Sequence, residues 1–555
     1  MTRQRFISDD HYKFQSEHFI RLHGCDISLF PLEIKGKESI SDVYSYEIKC
    51  FSRTDHNSLD KLHGTRLSCE IGEQYNSLPA RFIHGVVTKV IYNYDNSMQH
   101  TCIIILQPEI AELASGKRTR VWSNIKPSDI VSTILEDSLF SPPQVILYKE
   151  QNLLEYKIQY QESDLDFINR ILSEAGIYYF FVHNRDKHIM TLADDPASHP
   201  KASYDKLEHL PCENLKESRH GYIREWSFTE SLKCPSVTLS GYNESNVSEI
   251  TIKSESKLTD VKPSKGVYED IIPERKRELI KKRSEALIAS CDSELKIWSG
   301  KTDSWWLSCG ECFSLDKQDY RITSLYLNAV NNDNEHAGLC YCDLCASDNK
   351  SSLNFSREFK TPIIPGVLLA RVVGPDSEEY YTDDNGRVKI SFLWGEKSAA
   401  GTDKTSCWVR VSQVWSGEGF GSQFIPRIGS EVLVSFIQGN PDYPVIVGTV
   451  YNGQNTSPFS LPENNCKSGF ITRSVKNGKK GEGHQLVFDD KEGEEKVIVT
   501  SSGDSLLTVK KDMISTINRS MSLTIAEGRN AEIKRGNDRL VLKEGDLHND
   551  VYQSL

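Results

Sequence analysis

The sequence lacks any apolar run approaching the roughly 18 residues that a membrane-spanning helix requires. Its first ten residues, Met1 to Asp10, alternate charge and polarity without the apolar core of a cleavable export signal. Membrane insertion and signal-peptide export are therefore not expected. A basic surplus is also missing. Against 66 lysines and arginines stand 78 aspartates and glutamates, a formal charge of −12, where a partner held through nucleic-acid phosphates calls for the opposite sign. Cysteine is sparse, with 14 residues, and most sit alone in apolar runs, as Cys50, Cys102 and Cys407 do, which fits buried thiols in a reducing cytoplasm. What is present is a folded composition. Hydrophobic residues make up 38% and charged residues 26% of 555 residues, which argues against wholesale disorder, and at about 150 residues per domain the length predicts three or four domains.

Residues 17–110 read as successive strands, with Phe82, Val86 and Val90 punctuating Arg81–Tyr92 and a short apolar run at Cys102–Leu106. A helix is expected over Ile130–Leu139 behind Pro127-Ser128-Asp129, with Ile130, Val131, Ile134, Leu135 and Leu139 as its stripe. A second helix has Ser163 as N-cap, Asp164 and Asp166 at the positive end of its dipole, and Gly176 as its stop. Leu165, Ile168, Leu172 and Ala175 form its stripe, widened by Phe167 and Ile171, and Tyr178–Phe181 follows as a buried strand. A third helix, charged at its start, is expected from about Pro273 to Ser290, packed on one side through Leu279, Ile280, Ala286 and Leu287.

From Thr361 the chain changes to short strands with regular turn signals. Val388, Ile390, Phe392 and Trp394 alternate with polar residues after Asn385-Gly386, and Val409/Val411, Val432/Val434/Phe436 and Val445/Val447 repeat the pattern. Five or so strands in about 90 residues suit a small closed barrel, of which the OB-fold is a common type. Residues 452–485, rich in Gly, Asn, Ser and Lys, read as a linker. Beyond it Val509, Ile517, Ile525, Ile533 and Val541 lie eight residues apart, with Leu507, Leu523, Ala531 and Leu547 in a second column broken at Ser515 and Arg539. Such a short fixed period marks a β-solenoid. A helix would let the columns drift around its cylinder, because eight residues are about 2.2 turns. One eight-residue coil cannot bury its own interior, so more than one chain must share the axis, and three is the simplest number that closes a prism of strands.

Four motifs, in this order and over about residues 17–545, resemble the valine-glycine repeat protein G (VgrG) family, the trimeric spikes of bacterial type VI secretion, and the hub and spike of contractile phage tails. They are Phe82-Ile83-His84-Gly85-Val86-Val87-Thr88; Gln159-Tyr160-Gln161-Glu162-Ser163-Asp164-Leu165-Asp166-Phe167 through Gly176–Phe180; Asn385-Gly386-Arg387-Val388-Lys389 with Ser406-Cys407-Trp408-Val409-Arg410-Val411, Pro426–Val432, Gly439-Asn440-Pro441-Asp442 and Gly448–Asn452; and Leu486–Glu495. The resemblance implies a mainly β chain. Residues 1–360 are expected to form paired β-barrel hub domains with a few helices, 361–455 an OB-fold, 456–485 a linker and 486–555 a short needle, an intertwined triple-stranded β-helix in a homotrimer.

No catalytic constellation is expected. Glu162, Asp164 and Asp166 sit where carboxylates stabilise a helix dipole, His84 lies inside a strand, and Ser430 lacks the nucleophile-elbow pattern. About 34 residues between barrel and needle are too few for an inserted enzyme, and the chain's end at Leu555 is expected to leave no room for a C-terminal effector domain. Cys309, Cys312, Cys340 and Cys345 have a spacing that could close a structural zinc site, against which stands simple packing of thiols; no other cofactor is expected. The resemblance implies a non-enzymatic spike that punctures membranes. Its implied partners are further copies of itself, an Hcp tube hexamer at the hub, a PAAR-repeat tip at the needle, effectors with their adaptors, and the baseplate, but no nucleic acid. It would assemble in the cytoplasm and then be secreted by the type VI system. The alternatives are a phage-like tail hub or a spike with an enzymatic activity of its own.

Overall fold

The structure, a computed structural model, describes residues 18–25, 29–52, 60–73, 78–93, 100–209, 221–232, 234–243, 246–256, 265–270, 276–293, 295–331, 338–349, 360–394, 407–476, 478–479 and 481–550. They form two compact units, Met1–Ser457 and Pro458–Leu555. The first residues of the helix expected from Pro273, Ser406, and the last five residues lie outside the described residues.

The first unit opens with β1 (Ile20–His23), β2 (Leu29–Ser39), β3 (Ser45–Ser52), β4 (Arg66–Ile71), β5 (Arg81–Asn93) and β6 (His100–Gln107), hydrogen-bonded in the order β1-β4-β5-β6-β3-β2. Their alternation turns Ile34, Tyr46, Ile48, Leu67, Ile83, Ile104 and Leu106 into one core. A helical layer follows: β7 (Arg118–Trp122), α1 (Pro127–Asp137), β8 (Gln144–Ile146), β9 (Lys157–Glu162), α2 (Asp164–Ala175), and the hairpin β10 (Tyr178–His183) with β11 (His188–Ala193). Proline at N1 starts α1, and Ile130, Val131, Ile134 and Leu135 bury its apolar face. Leu139, expected on that stripe, is instead 88% exposed at φ 60°. The Leu139 N–H bonds Glu136 O and the Phe140 N–H bonds Leu135 O, so Leu139 occupies the left-handed position of a helix stop usually given to glycine. Helix α2 matches its signals: the Ser163 hydroxyl accepts the Asp166 N–H, and Gly176 closes the helix at φ 70°. Its buried face differs, because Ala175 is exposed and Arg170 is buried.

A second barrel comprises β12 (Lys201–His209), β13 (Tyr222–Glu230), β17 (Lys296–Thr302), β18 (Cys312–Leu315), β19 (Gln318–Val330) and β20 (Leu339–Asp348). Between β13 and β17 lies an insertion of β14 (Ser236–Asn243), β15 (Ser248–Glu255), β16 (Val267–Asp270) and α3 (Arg277–Ser293). The ring closes because β19 pairs with both β18 and β20, in the order β19-β18-β12-β13-β17-β20. Within it Trp226 and Trp298 stack at 5.6 Å across Gly300, where a Cβ would come within 2.6 Å of the Trp226 ring. Over Ser324–Val330, β19 also pairs with β2, which fuses the two barrels along one seam. Just beyond, the Asn331 side chain accepts the Ile20 N–H at 2.8 Å and donates to Ile20 O and Pro31 O at 3.1 and 2.6 Å. One amide thus ties β1 to β2 where Pro31 has no N–H to offer. Helix α3 packs on one side, as expected, but through a shifted face: Ile280 and Ile288 rest on Val237, Leu239, Ile250 and Ile252 of the insertion sheet with Leu287 at the edge, while Leu279 and Ala286 stay outside that cluster.

The barrel after Thr361 has β21 (Leu368–Val373), β22 (Lys389–Phe392), β23 (Arg410–Val411), a hairpin of β24 (Ser416–Gly417) and β25 (Phe420–Gly421), β26 (Glu431–Phe436) and β27 (Pro444–Val450), with sheet order β22-β21-β26-β27-β23. Val388, Ile390, Val409, Val432, Val434 and Ile446 are fully buried. The alternation of β27 has the opposite phase from the one read: Ile446 points inward and Val447 is 47% exposed. Three apolar residues in a row do not reveal which face of a strand is buried.

The second unit holds an antiparallel meander of β28 (Lys467–Ile471), β29 (Gln485–Asp489) and β30 (Lys496–Thr500). Strand β28 falls inside the stretch expected to be linker. From Ser501 to Asp550 there is no strand or helix; the residues of the first column are half-exposed, from 45% at Val509 to 57% at Val541, and the leucines of the second are more so, up to 72% at Leu507.

Candidate functional site: the joint between hub and OB barrel

Strand β9 alternates between two neighbours. Ile158 and Tyr160, with Tyr156 and Val121, enter the core of the OB barrel beside Ile364, Val388, Val434 and Phe436, and Tyr160 meets Trp394 edge-on at 5.8 Å. Lys157 and Gln159, on the opposite face, are buried and make polar contacts. The OB side supplies Gly439-Asn440-Pro441-Asp442. Gly439 has φ 75° and gives its carbonyl to the Ile364 N–H at 2.8 Å. The Asn440 side chain accepts the Asp442 N–H at 3.0 Å, which sets the turn, and a Cβ on Gly439 would come within 2.6 Å of Ile363.

Held this way, the Asp442 carboxylate accepts the Ile158 N–H at 2.9 Å and pairs with the Lys157 ammonium at 2.6 Å, both side chains being less than a tenth exposed. Lys157 also pairs with Glu174. The Arg170 side chain, 1% exposed, forks onto Glu162 through Nη2 at 2.6 Å and Nε at 3.2 Å, donates to Ile158 O at 2.9 Å, and lies over the Phe167 ring. Burial alone would raise Glu174, but Lys157 and Arg170 hold it down to about 2; burial wins at Glu162, which is raised. Asp164 accepts both Arg120 Nη2 (3.0 and 3.1 Å) and Gln159 Nε2 (2.7 Å), and Arg118 reaches it from the rim. Asp166 accepts the Ser163 hydroxyl at 2.7 Å. Each of the three carboxylates weighed as catalytic thus has a structural partner. A cleft of about 1170 Å³ opens beside the joint, edged by Lys149, Lys276, Arg283, Lys389, Trp408 and Tyr443.

His84 belongs to a second polar cluster, between β5 and the β10–β11 hairpin. Its Nδ1 lies 3.0 Å from His188 Nδ1, and its backbone N–H donates to His183 Nδ1 at 3.2 Å. The Glu109 N–H donates to His188 Nε2 at 3.2 Å, and the Tyr44 hydroxyl donates to His84 O. Burial pushes His183 well below its ordinary range, His188 down to about 4, and His84 downward. Because His183 and His188 each accept a backbone N–H, a proton on the accepting nitrogen would cost a hydrogen bond as well as the burial of a charge.

The four cysteines of the expected zinc spacing are dispersed. Cys309 Sγ reaches Thr323 O at 3.3 Å and Cys312 Sγ reaches Asn349 at 3.4 Å. Cys340 and Cys345 are five residues apart on β20, opposite Ala329 and Ser324, so they point to opposite faces and lie about 16 Å apart along the strand. Among the described residues, no group of three or more His, Cys, Asp or Glu is arranged to hold a metal ion. The needle-core residues Val509, Ile517, Ile525, Ile533 and Val541 have no partner strand within the chain among the described residues. Sequence reasoning missed Lys157 and Arg170. Arg170 could have been found as the one cation on the apolar side of α2.

Residues 37–330 match the phage tail baseplate hub (GPD) family, and residues 372–451 match the type VI secretion system/phage-baseplate injector OB domain. The type VI secretion system spike protein VgrG1b of Pseudomonas aeruginosa is 28% identical over 515 residues, covering 89% of this chain and 68% of that protein. The actin cross-linking toxin VgrG1 of Vibrio cholerae is 26% identical over 557 residues, covering 94% of this chain and 49% of the toxin. Among solved structures, a type VI secretion component of E. coli with structural similarity to T4 bacteriophage tail proteins superposes with TM-score 0.55 at 18% identity, covering 78% of this chain and 99% of that one. The chain therefore belongs to the phage tail baseplate hub family, and with its injector OB domain it is built on the plan of the VgrG spike proteins.

Proposed function

We propose that this chain is the structural, non-enzymatic subunit of a homotrimeric spike at the tip of a type VI secretion tube, where it punctures target membranes and carries effectors. The observation that carries the reading is the run of half-exposed valine and isoleucine columns from Val509 to Val541, which a single chain leaves in water and three parallel copies would gather on one axis. The hub–OB joint supports it. Thrust on the hub passes to the barrel through a shared apolar core and a buried ionic lock, a path that resists shear. In this reading residues 1–360 are the hub, 361–455 the OB domain and 486–555 the needle. The hub seats on an Hcp tube hexamer, the needle receives a PAAR-repeat tip, and effectors with their adaptors and the baseplate complete the assembly. The chain assembles in the cytoplasm and leaves with the tube.

A deletion strain tests this. Loss of the gene should abolish release of the tube protein into the medium, and the complementing chain should itself appear there only when the contractile apparatus is intact. Undiminished tube release without the chain would contradict the proposal.

A further inference from the structure

Cys50 and Cys102, which look isolated in sequence, are brought face to face. Strands β3 and β6 run antiparallel with Cys50 directly opposite Cys102, and both side chains point into the first barrel at zero exposure. Direct antiparallel partners have Cα atoms about 4.5–5.5 Å apart, inside the roughly 4.4–6.8 Å range that a disulfide spans. The two thiols interact: their mutual contact and burial drive Cys50 well above the ordinary thiol range, the same contact lowers Cys102, and the Cys50 thiol donates to Ile48 O at 3.8 Å. Both are reduced. The pair also lies near a way in. Only Phe51↔Thr101 and Ser52↔His100 separate it from the end of the β3–β6 ladder, and strand ends open locally more readily than strand centres.

We propose that Cys50 and Cys102 form a convertible dithiol which closes to a cross-strand disulfide when the chain meets an oxidising compartment, locking the first barrel. The oxidant is a disulfide donor of the glutathione type. The Cys102 thiolate attacks one donor sulfur and expels a first thiol; the Cys50 thiolate then attacks the Cys102 sulfur of the mixed disulfide and expels a second. One S–S bond forms in the protein, one is lost from the donor, and the two thiol protons end on the two leaving thiols. Cys102 is the attacking group because it has the larger thiolate fraction of the two. The Cys340–Cys342 contact at 3.8 Å, on β20 of the second barrel, is a different case, since those residues are two apart on one strand. The chemistry stands independently of the spike reading; only passage from a reducing to an oxidising compartment rests on it.

The test uses the purified full chain, treated with excess oxidised glutathione or with dithiothreitol, then unfolded, alkylated, digested and mapped by mass. The expected result is a Cys50–Cys102 linked peptide two hydrogens lighter than the separate peptides, with a thermal midpoint about 5 °C above that of the reduced chain, from closure of a loop of some fifty residues. Cys50→Ala and Cys102→Ala should each lose both the link and the shift. Recovery of Cys50 and Cys102 as alkylated residues while other thiols have oxidised would overturn the proposal. So would a glutathione adduct that never closes, or a link from either residue to Cys25 or Cys69. The wild-type map decides the matter even if a variant fails to fold, and neither result alters the mass by which trimer formation is judged.

Discussion

Asp442 shows how much of the joint rests on single side chains. Its carboxylate satisfies a backbone N–H and a buried ammonium at once, so Asp442→Ala would leave Lys157 facing only Glu174 and the Ile158 N–H without an acceptor. Breaking a buried pair by removing one partner costs about 3–5 kcal/mol, and we expect a loss of that order in urea unfolding followed by OB-domain fluorescence. Unchanged stability would place the lock elsewhere. The histidines set an acid limit. His188 titrates near 4 when folded, below its ordinary 6.5, so the folded chain binds fewer protons, and the stability this contributes is present above about 6.5 and lost as pH falls toward 4. His183 and His84, lowered in the same direction, add to the loss. Glu311, raised by burial to about 7, and Glu162, raised in the same direction, act oppositely above 4.5, but they are two groups against four once His199, pushed down to about 3 by burial, is counted. The thermal midpoint should therefore fall from pH 7 to pH 4.5, and less so in His188→Gln; an equal fall in both would remove the cluster from the account. None of these pairings was legible in the sequence, because Lys157 and Asp442 are 285 residues apart and nothing local marks them as partners.

At the scale of elements, legibility follows locality. Helix α2 is announced by its own N-cap and terminal glycine, and Ser163→Ala should cost about 1 kcal/mol in unfolding free energy, with a null effect implying that the Ser163–Asp166 contact is idle. Helix α1 ends at Asp137, two residues short of its apparent stripe, because its chain reversal takes Leu139 into the left-handed region. Sheet order was out of reach: that β19 pairs with β18, β20 and β2, closing one barrel and joining it to the other, depends on contacts across up to three hundred residues. Asn331 marks that seam. Asn331→Ala should speed hydrogen exchange at Ile20–His23 by about five- to thirty-fold while leaving β6 protected, since one lost hydrogen-bonded bridge of about 1–2 kcal/mol is a factor of that size. Protection of β1 unchanged from wild type would show that the barrel closes without it.

For the whole molecule, the eight-residue period was the most legible feature and the one that a single chain explains least. Five aliphatic residues about half-exposed in succession would each contribute about 1–2 kcal/mol if their remaining surface were covered, and no strand of the same chain covers them among the described residues. Ile517→Asp combined with Ile525→Asp would put three unpartnered carboxylates into each of two layers, at several kcal/mol each, and should abolish assembly while the hub and OB barrel keep their fold by circular dichroism. The most direct test of the spike account is the mass of the purified full chain in solution, measured by light scattering at micromolar concentration. The account predicts three times the chain mass, falling to one in the double variant; a wild-type chain that stays at a single chain mass would contradict it.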